Sequence, residues 1–427
     1  MKKWLCAGLL LFLASCGRGN REWTVEIVNP TAEERKDEGI VLSRSQLKPA
    51  DDTLVPAVKD ASGRYVASQL DDLDRDGRWD ELAFTVDLPG GQTTPFRIVW
   101  IDPADYPQFP ARTNIRYGKM TAPGVIGELS TDLHTKDEIY NKNEPGYPYQ
   151  LEGVVWENDK GAFRHYYDGR NNRDYFGKRV PEMVMDDEGL DEAGFPADTY
   201  HVLEHWGRDV MTVGNSFGIG GLAAWVDDSR FVRLGREAGG PVDVIDSTRY
   251  TLIFEGSVRS RVAFDFYGWQ VEEHKIDLRQ EITLWAGKHH YDNRVMVSRL
   301  PDNVSLVTGF SYNLNELPVE SLDFSGYTGA AVHDHQSYNR EYILGIGVIL
   351  PKKNVEKTFL SLDYLPESRL IRTWLAQLKL DSKGEADFKA YATWELQDTL
   401  LRRRDYFLDR MRAEGERLDN PVQVTLK

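Results

Sequence analysis

The chain has 427 residues, a formal net charge of -16 and 41% hydrophobic residues. This length suffices for two or three domains, and the composition is that of a globular protein rather than a disordered one. The acidic balance excludes a general nucleic-acid binder, because no basic surplus is present to neutralise phosphates. We therefore expect no nucleic-acid partner.

The N-terminus has the pattern of a bacterial lipoprotein signal peptide. Lys2 and Lys3 precede an apolar run at residues 5–13, and residues 13–16, Leu-Ala-Ser-Cys, resemble a lipobox. The run is short for a transmembrane helix. We expect a signal peptide at residues 1–15, acyl chains on Cys16 as a membrane anchor, and a tether at residues 16–21. The expected location is the periplasmic side of the outer or inner membrane, and a plain signal peptide is the alternative.

Cysteine usage limits the chemistry of the mature protein. Cys6 and Cys16 are the two cysteines of the sequence, and Cys6 lies within the expected signal peptide. The mature fold is therefore expected to lack disulfides, cysteine metal ligands and a cysteine nucleophile.

Alternation of apolar and polar residues predicts strands at 23–28, 82–88 and 96–101. With the Pro89-Gly90-Gly91 turn, these strands predict a small N-terminal β-sandwich over residues 22–102. Residues 103–150 are rich in Pro, Asp, Tyr and Asn and predict a long irregular connection. Alternating runs from about 151 to 395 predict a large antiparallel β-sandwich, and residues 103–395 together are the second expected domain. Helical spacing of apolar residues predicts one helix at 396–418, within a C-terminal helix and tail at 396–427.

An acidic loop has the carboxylate spacing of a calcium site. Aspartates occupy its positions one, three, five and nine, with a glycine at six: Asp72, Asp74, Asp76, Asp80 and Gly77. Position twelve is Ala83 instead of the usual glutamate, so Asp80 or Glu81 would complete the site. We expect a structural calcium ion and no organic cofactor, and a solvated acidic turn is the alternative.

The segment at residues 152–178 combines aromatic rings, cations and carboxylates as a sugar-binding surface does. If residues 162–168 form a strand, Arg164, Tyr166 and Asp168 share one face. The other face, Phe163, His165 and Tyr167, is expected to be core. The rival interpretation is a buried Arg–Asp network that holds two sheets together.

Two sets of candidate site residues follow from this segment and its neighbours. The candidate catalytic residues are Arg164, Tyr166, Asp168 and His201. The candidate substrate-binding residues are Trp156, Glu157, Arg170, Asn171, Asp174, Lys178, Trp206 and Asp209.

Three functions remain open. An enzyme on uronate glycans would use arginine or lysine to neutralise the carboxylate and Tyr166 or His201 as base, or two carboxylates for hydrolysis. The excess of cations in the segment slightly favours elimination. The second hypothesis is a non-catalytic glycan binder with a platform of Trp156, Trp206 and Trp269. The third and weaker hypothesis is an esterase that uses Ser216 in the G-x-S-x-G pattern at residues 214–218.

A zinc-protease pattern is present but poorly supported. Residues 201–205 match H-x-x-E-H, which places both histidines on one face only when it lies on a helix. The Trp206-Gly207 that follows and the strand-like residues 210–213 do not predict a long helix.

The sequence resembles an uncharacterised family from bacterial polysaccharide-utilisation loci, mainly in Bacteroidetes. The matching positions are residues 69–82, 156–157, Arg164, Tyr166, Asp168, Arg170, Asn171, Asp174, 176–178, 206–207, Asp209, 213–214, Ser216, Gly218, 258–260 and 267–269. The resemblance implies a galactose-mutarotase-like supersandwich. Its members often neighbour or are fused to unsaturated glucuronyl or rhamnogalacturonyl hydrolases, which implies a uronate-containing, pectin-like or rhamnogalacturonan-like substrate. We therefore expect a glycan-processing lipoprotein, a lyase or hydrolase, with an acidic oligosaccharide or polysaccharide as partner.

Overall fold

Antiparallel strands make up most of the chain. The computed structural model describes residues 21–135, 147–167, 169–235, 244–361 and 371–427, which contain 28 strands and two α-helices. The expected fold class is confirmed: the protein is mainly β, with antiparallel sandwiches and a C-terminal helix. The expected signal peptide, Cys16 and Asp168 lie outside the described residues.

The strands are numbered in chain order. The first fourteen are β1 (Trp23–Val28), β2 (Arg35–Ser43), β3 (Val55–Lys59), β4 (Ser68–Asp71), β5 (Glu81–Leu88), β6 (Thr93–Ile101), β7 (Thr113–Arg116), β8 (Gly118–Ala122), β9 (Val125–Glu128), β10 (Thr131–Thr135), β11 (Gly153–Asn158), β12 (Gly161–Tyr166), β13 (Arg173–Lys178) and β14 (Gly207–Asp209). The others are β15 (Ile219–Val226), β16 (Arg230–Arg233), β17 (Ser247–Phe254), β18 (Arg259–Val271), β19 (His274–Trp285), β20 (His290–Val297), β21 (Val304–Ser311), β22 (Glu320–Asp323), β23 (Tyr327–His335), β24 (Ile343–Pro351), β25 (Val355–Leu360), β26 (Thr373–Leu378), β27 (Glu385–Trp394) and β28 (Gln423–Leu426). The helices are α1 (Arg44–Leu47) and α2 (Arg404–Asp419).

A small sandwich forms at the N-terminus. Its two sheets have the strand orders β28-β1-β6-β3 and β2-β5-β4. Alternate residues such as Val25, Ile40 and Phe84 point between the sheets and are buried. The last strand of the chain, β28, pairs with β1, so the C-terminus closes this sandwich.

The large unit consists of one nine-stranded sheet packed against two five-stranded sheets. The nine-stranded sheet has the order β10-β17-β18-β19-β20-β27-β24-β23-β22. The five-stranded sheets have the orders β14-β13-β12-β11-β7 and β16-β15-β21-β26-β25, and β8 and β9 form a separate ribbon. Apolar side chains of all three sheets meet in one core. This continuous core is the reason why the sheets form a single sandwich.

Helix α2 packs on the outer face of the nine-stranded sheet. Phe407 and Met411 contact Ile349 and Tyr391 there. The predicted helix is therefore present, although it begins at Arg404, after a 3-10 turn at Thr399–Arg402. Among the described residues, no helix combines the length and apolar character needed to cross a membrane.

Arg259 joins the small sandwich to the large unit. Its Nε donates to Asp71 Oδ2 at 2.7 Å, and its Nη2 contacts Glu81 Oε2 at 2.5 Å. Asp71 and Glu81 are cross-strand partners on β4 and β5, so both carboxylates reach the same guanidinium. Burial raises the pKa of Asp71, and the charge of Arg259 opposes this rise. The N-terminal unit thus depends on a nearly water-free ion pair.

Replacing Arg259 with alanine should lower the free energy of unfolding by about 3–5 kcal/mol, because Asp71 would keep a buried charge without its partner. Urea denaturation of the wild type and variant measures the difference. Arg64→Ala is the control: its side chain is 82% exposed, so its loss should change stability by about 1 kcal/mol or less. Equal effects of the two substitutions would contradict the role of Arg259.

Candidate functional site

Strands β11, β12 and β13 are buried on both faces. On the inner face, Phe163 and Trp156 pack against Tyr291 of the nine-stranded sheet, with ring centroids 4.9 and 5.3 Å away. The predicted core face of β12 is therefore confirmed for Phe163, His165 and Tyr167, which are all buried. Trp156 belongs to this core, so its expected role as a substrate-stacking ring is wrong.

Five residues form the Arg164 cluster on the other face of the same sheet: Glu152, Arg164, Tyr166, Asp174 and Asp209. Arg164 and Asp174 are cross-strand partners on β12 and β13, and β14 brings Asp209 alongside. Arg164 Nη2 donates to Tyr166 Oη at 2.6 Å, to Asp209 Oδ2 at 2.8 Å and to Asp174 Oδ2. The Tyr166 hydroxyl donates in turn to Asp174 Oδ2 at 2.8 Å.

Burial and like charge set the protonation of the Arg164 cluster. Burial, reinforced by the nearby Asp174 carboxylate, raises the pKa of Asp209 well above its ordinary value. Burial would lower the pKa of Arg164, but Tyr166 and Asp174 hold it well above the usual range. The cluster therefore holds a permanent cation beside a carboxyl group that retains its proton more readily than a surface aspartate does.

The Arg164 cluster corrects the expected role of its arginine. Arg164 is fully buried and already contacts Asp174 and Asp209, so it cannot neutralise a substrate carboxylate directly. The rival interpretation, a buried Arg–Asp network, describes this residue. Tyr166 is only 8% exposed, and burial raises its pKa well above 10, which does not suit it to act as a base.

A second buried ion pair removes Lys178 and Glu157 from the substrate-binding set. Lys178 Nζ donates to Glu157 Oε1 at 2.6 Å and to two main-chain carbonyls. Glu157 also accepts from the amides of Val184 and Met185. Both side chains are almost fully buried, so the pair fixes the residue 182–185 loop against β11 and β13 rather than facing a ligand.

Two further candidates are also structural. Trp206 is fully buried beside Phe176, under the segment that covers the outer face of the sheet. Asn171 is buried in a turn with a left-handed φ of 51°. Trp269 is buried as well, and its indole donates to the carbonyl of Arg233. The three tryptophans therefore form no exposed platform.

A cleft of about 250 Å³ adjoins the Arg164 cluster. Its lining, which we call the Tyr200 cleft, consists of Tyr147, Tyr149, Leu151, Glu152, Pro196, Ala197, Asp198 and Tyr200. Glu152 belongs to both the cleft and the cluster. The cleft thus combines tyrosine rings with two carboxylates, a surface that suits sugar rings and hydroxyls.

An unusual backbone places Glu152 at the base of the cleft. Leu151 and Glu152 both have left-handed φ values, 55° and 56°, a strain of about 1–3 kcal/mol each. Gly153 follows, and a Cβ there would lie 2.0 Å from the carbonyl oxygen of His165. The close pairing of β11 with β12 therefore requires glycine next to Glu152.

The Tyr200 hydroxyl lies between two carboxylates. It is 2.8 Å from Glu152 Oε1 and 3.0 Å from Asp198 Oδ1, and its single proton can serve only one of them at a time. Arg170 Nη2 donates to the other oxygen of Glu152 at 3.1 Å. Burial raises the pKa of Tyr200 well above 10, so the hydroxyl keeps its proton. Glu152 and Asp198 are therefore a pair of carboxylates linked by the Tyr200 hydroxyl, whose proton can be donated to either of them.

His201 connects the cleft to the Arg164 cluster. Its Nδ1 lies 3.9 Å from Asp209 Oδ2 and its Nε2 lies 3.9 Å from Asp198 Oδ2. The ring is partly exposed and stacks on Tyr338. His201 ends a 3-10 turn and the chain continues in extended form, so the H-x-x-E-H residues do not lie on a helix. The zinc interpretation is therefore not supported.

Ser216 is part of a tight turn. Its Oγ donates to the carbonyl of Val213 at 2.7 Å and accepts from the amide of Gly218 at 2.9 Å. The residue is fully buried. Gly218 has a φ of 76°, and the described chain continues from it into strand β15 rather than into a helix. The esterase hypothesis is therefore wrong.

The acidic loop between β4 and β5 brings three carboxylates together. One oxygen each of Asp72, Asp74 and Asp80 lies within 4.8 Å of the others. The amide of Gly77 donates to Asp72, and Gly77 has a φ of 85° that favours glycine. This donor set fits a hard cation such as calcium. Asp76 lies outside the converging set, and Glu81 contacts Arg259 instead.

The architecture is that of a β-supersandwich protein. The sequence of the chain identifies its family. Residues 27–424 match the family described as "Domain of unknown function (DUF4861)", and the chain belongs to this family. A curated relative, "Uncharacterized protein P7" of Formosa agariphila, is 22% identical over 394 residues, which cover 86% of this chain and 83% of the relative.

Two solved structures from Enterococcus faecalis are similar to this chain. A protein in the glycosyl hydrolase family 38 from Enterococcus faecalis has 9% sequence identity and a TM-score of 0.51, and the match covers 95% of this chain and 47% of that one. An alpha-mannosidase from Enterococcus faecalis V583 has 8% identity and a TM-score of 0.49, with 95% and 46% covered. The chain therefore spans about half the length of these proteins.

Sequence reasoning missed Tyr200 and Asp198 and did not assign a role to Glu152. Tyr200 and Glu152 are 48 residues apart, and they meet because residues 180–206 fold over the outer face of the five-stranded sheet. The signal in the sequence was the presence of Tyr147 and Tyr149 close to Glu152, since tyrosines next to a carboxylate are typical of sugar sites.

The raised pKa of Asp209 predicts a specific pH dependence of stability. The folded state binds this proton more tightly than the unfolded chain, where the pKa is about 3.9, so its contribution to stability is present below about pH 4 and is lost as pH rises through the folded pKa. Asp209→Asn cannot ionise and should remove this loss. The melting temperature of the wild type relative to this variant should fall as pH rises above about pH 4.

The control for this experiment is Asp323→Asn, which alters an exposed carboxylate. Its melting temperature should follow that of the wild type at every pH. A constant difference between the wild type and Asp209→Asn across the range would contradict the buried proton.

Proposed function

We propose that this protein is a glycan-processing enzyme that hydrolyses glycosidic bonds in the Tyr200 cleft. The observation that carries the proposal is the pair of carboxylates, Glu152 and Asp198, on the two sides of one tyrosine hydroxyl. The shared fold with a glycosyl hydrolase family 38 protein supports carbohydrate processing at the level of architecture.

The geometry supports different roles for the two carboxylates. Glu152 accepts hydrogen bonds from Tyr200 and Arg170 and lies 3.8 Å from Arg164, so its position is fixed and it is the proposed nucleophile. Asp198 is half exposed at the mouth of the cleft and is the proposed acid and base, with His201 beside it. Because both carboxylates touch the same hydroxyl, their oxygens lie close together, in keeping with the spacing of about 5 Å in retaining glycosidases rather than the wider spacing of inverting ones.

The cations that favoured elimination are already engaged. Arg164 contacts Asp174 and Asp209, and Lys178 contacts Glu157. Arg170 is 27% exposed and donates to Glu152 of the cleft lining. A hydrolytic mechanism therefore uses the described groups better than removal of a sugar C5 proton does.

The substrate that we propose is a uronate-containing oligosaccharide of the pectin or rhamnogalacturonan kind. Arg170 and Lys119 support this, because each contacts a residue of the cleft lining: Arg170 donates to Glu152, and Lys119, which also contacts Asp132, lies 5.4 Å from the centre of the Tyr149 ring. The lipobox-like residues 13–16 support a lipoprotein anchored through Cys16 on the periplasmic side of a membrane.

Glu152→Gln should reduce turnover of a uronate oligosaccharide by about 100-fold or more, because the proposed nucleophile loses its charge. Tyr200→Phe should cause a smaller loss, since it removes the shared proton but keeps both carboxylates. Chromatography of the products measures both effects. Glu273→Gln, at an exposed carboxylate, is the matched control and should retain full activity.

The products distinguish the possible reactions. Hydrolysis with retained anomeric configuration, seen by NMR in the first minutes, supports the proposed carboxylate pair. An unsaturated uronate product, detected by its ultraviolet absorbance, would show elimination instead. Full activity of Glu152→Gln would remove Glu152 from the mechanism.

We also propose that the acidic loop binds a structural calcium ion through Asp72, Asp74 and Asp80. The convergence of their oxygens supports the proposal. The loop joins β4 and β5, whose residues Asp71 and Glu81 contact Arg259 of the large unit. The ion would therefore stabilise the contact between the two units.

Calcium in excess should raise the melting temperature of the wild type, corresponding to about 2.7 kcal/mol at a calcium concentration about 100 times the Kd. Asp74→Asn should lose most of this increase. Asp87→Asn, on an exposed carboxylate outside the loop, should retain it. The same melting temperature with calcium and with chelator would contradict the site.

A further inference from the structure

A groove of about 380 Å³ crosses the outer face of the nine-stranded sheet, away from the Tyr200 cleft. Its floor is a row of paired residues on neighbouring strands. In order, these are Arg261, Thr283, Asp292, Lys389 and Ile349. The lining extends to Tyr327 of β23, so the groove spans six strands, or about 24 Å at about 4.8 Å per strand. It is long enough for several sugar units in a row.

The charges of the groove differ from those of the protein as a whole. Its lining contains five cations, Arg259, Arg261, Arg294, Lys353 and Lys389, and three carboxylates, Glu281, Asp292 and Asp387. The whole chain has a net charge of -16. Among the lining side chains, cations therefore outnumber carboxylates, in contrast to the chain as a whole.

Most of the groove cations have carboxylate partners. Arg259 contacts Asp71 and Glu81, and Lys389 contacts Asp292. Arg294 contacts Glu385 at 2.5 Å. These cations shape the groove and hold its strands, but their charge is compensated locally.

Arg261 is different. Its Nε donates to Thr283 Oγ1 at 2.9 Å, and its guanidinium lies 5.1 Å from the ring of Phe254. Within the described parts of the chain, none of the ion pairs of up to 4.0 Å includes it. Burial, together with the nearby charge of Arg259, lowers its pKa, and the carboxylates of Glu281, Glu81 and Asp71 oppose this effect from beyond ion-pair distance. An anion at hydrogen-bond distance would therefore give this partly buried guanidinium the direct ion-pair partner that it lacks.

We propose that this groove binds an acidic oligosaccharide, with the guanidinium of Arg261 contacting a sugar carboxylate. The remaining Nη groups present the planar fork that pairs with a carboxylate through two hydrogen bonds. Asp292, Lys389 and Tyr327 supply polar groups for sugar hydroxyls along the floor. The groove deepens the proposed function, because it would hold an acidic chain apart from the hydrolytic cleft, and it rests on that function for its choice of a uronate.

Calorimetric titration with tetragalacturonate tests the groove. Arg261→Gln should weaken binding at least about tenfold, since it removes the charge and the fork but keeps a group that can bond to Thr283. Arg261→Lys should show an intermediate loss. The matched control is Arg64→Gln, an exposed arginine of the small sandwich, which should bind as the wild type does.

A second arm uses fully methyl-esterified tetragalacturonate, which has the same length and no charge. The wild type should bind it more weakly than the acid, and Arg261→Gln should not weaken it further. Equal binding of the acid by wild type and Arg261→Gln, or equal binding of acid and ester by the wild type, would overturn the proposal. The proposal is supported if Arg261→Gln weakens binding of the acid but not of the ester and leaves the melting temperature unchanged.

Product analysis of the same samples separates this inference from the proposed hydrolysis. If binding depends on Arg261 but no product forms, the result supports the proposed groove site and contradicts the proposed hydrolysis. If products form normally and the acid binds equally well with and without the Arg261 side chain, the proposed groove site is contradicted and the proposed hydrolysis is not.

Discussion

The buried charge of Arg164 is the constraint on which the candidate site depends. It lies in a sheet covered on both sides, where the Asp174 carboxylate compensates it and Asp209 accepts a further hydrogen bond from it. Breaking one partner of such a buried pair costs about 3–5 kcal/mol, so the positions of β12, β13 and β14 are tightly coupled. Glu152, at 3.8 Å from the same guanidinium, receives its position from this network.

The candidate site has two layers, the buried Arg164 cluster and the solvent-accessible Tyr200 cleft. Arg164 and Asp209 do not meet solvent freely, whereas Asp198 and His201 do. The strained backbone at Glu152 places one carboxylate at the boundary between the two layers. Strain of this kind at a cleft is typical of a functional position, because the surrounding structure must maintain it.

The sequence predicted the local geometry well and the tertiary burial poorly. Alternation along β12 assigned Phe163, His165 and Tyr167 to the core, and they are there. The same alternation could not show that residues 180–206 cover the opposite face, so Arg164 and Trp206 were expected to meet a ligand. Tyr200 and Asp198 could not be found, because no local pattern shows which loop folds against Glu152. The tail strand β28 was missed for the same reason, since its partner β1 lies at the other end of the chain.

The proposed hydrolysis depends most on the attack of Glu152 on the sugar in the Tyr200 cleft. Mass spectrometry after incubation with a 2-deoxy-2-fluoro uronosyl fluoride would detect this attack, because the fluorine slows breakdown of a covalent glycosyl-enzyme. We expect one added sugar mass on the peptide that contains Glu152, and its absence in Glu152→Gln. An adduct on another carboxylate, or continued turnover of oligosaccharide without any adduct, would contradict this role of Glu152.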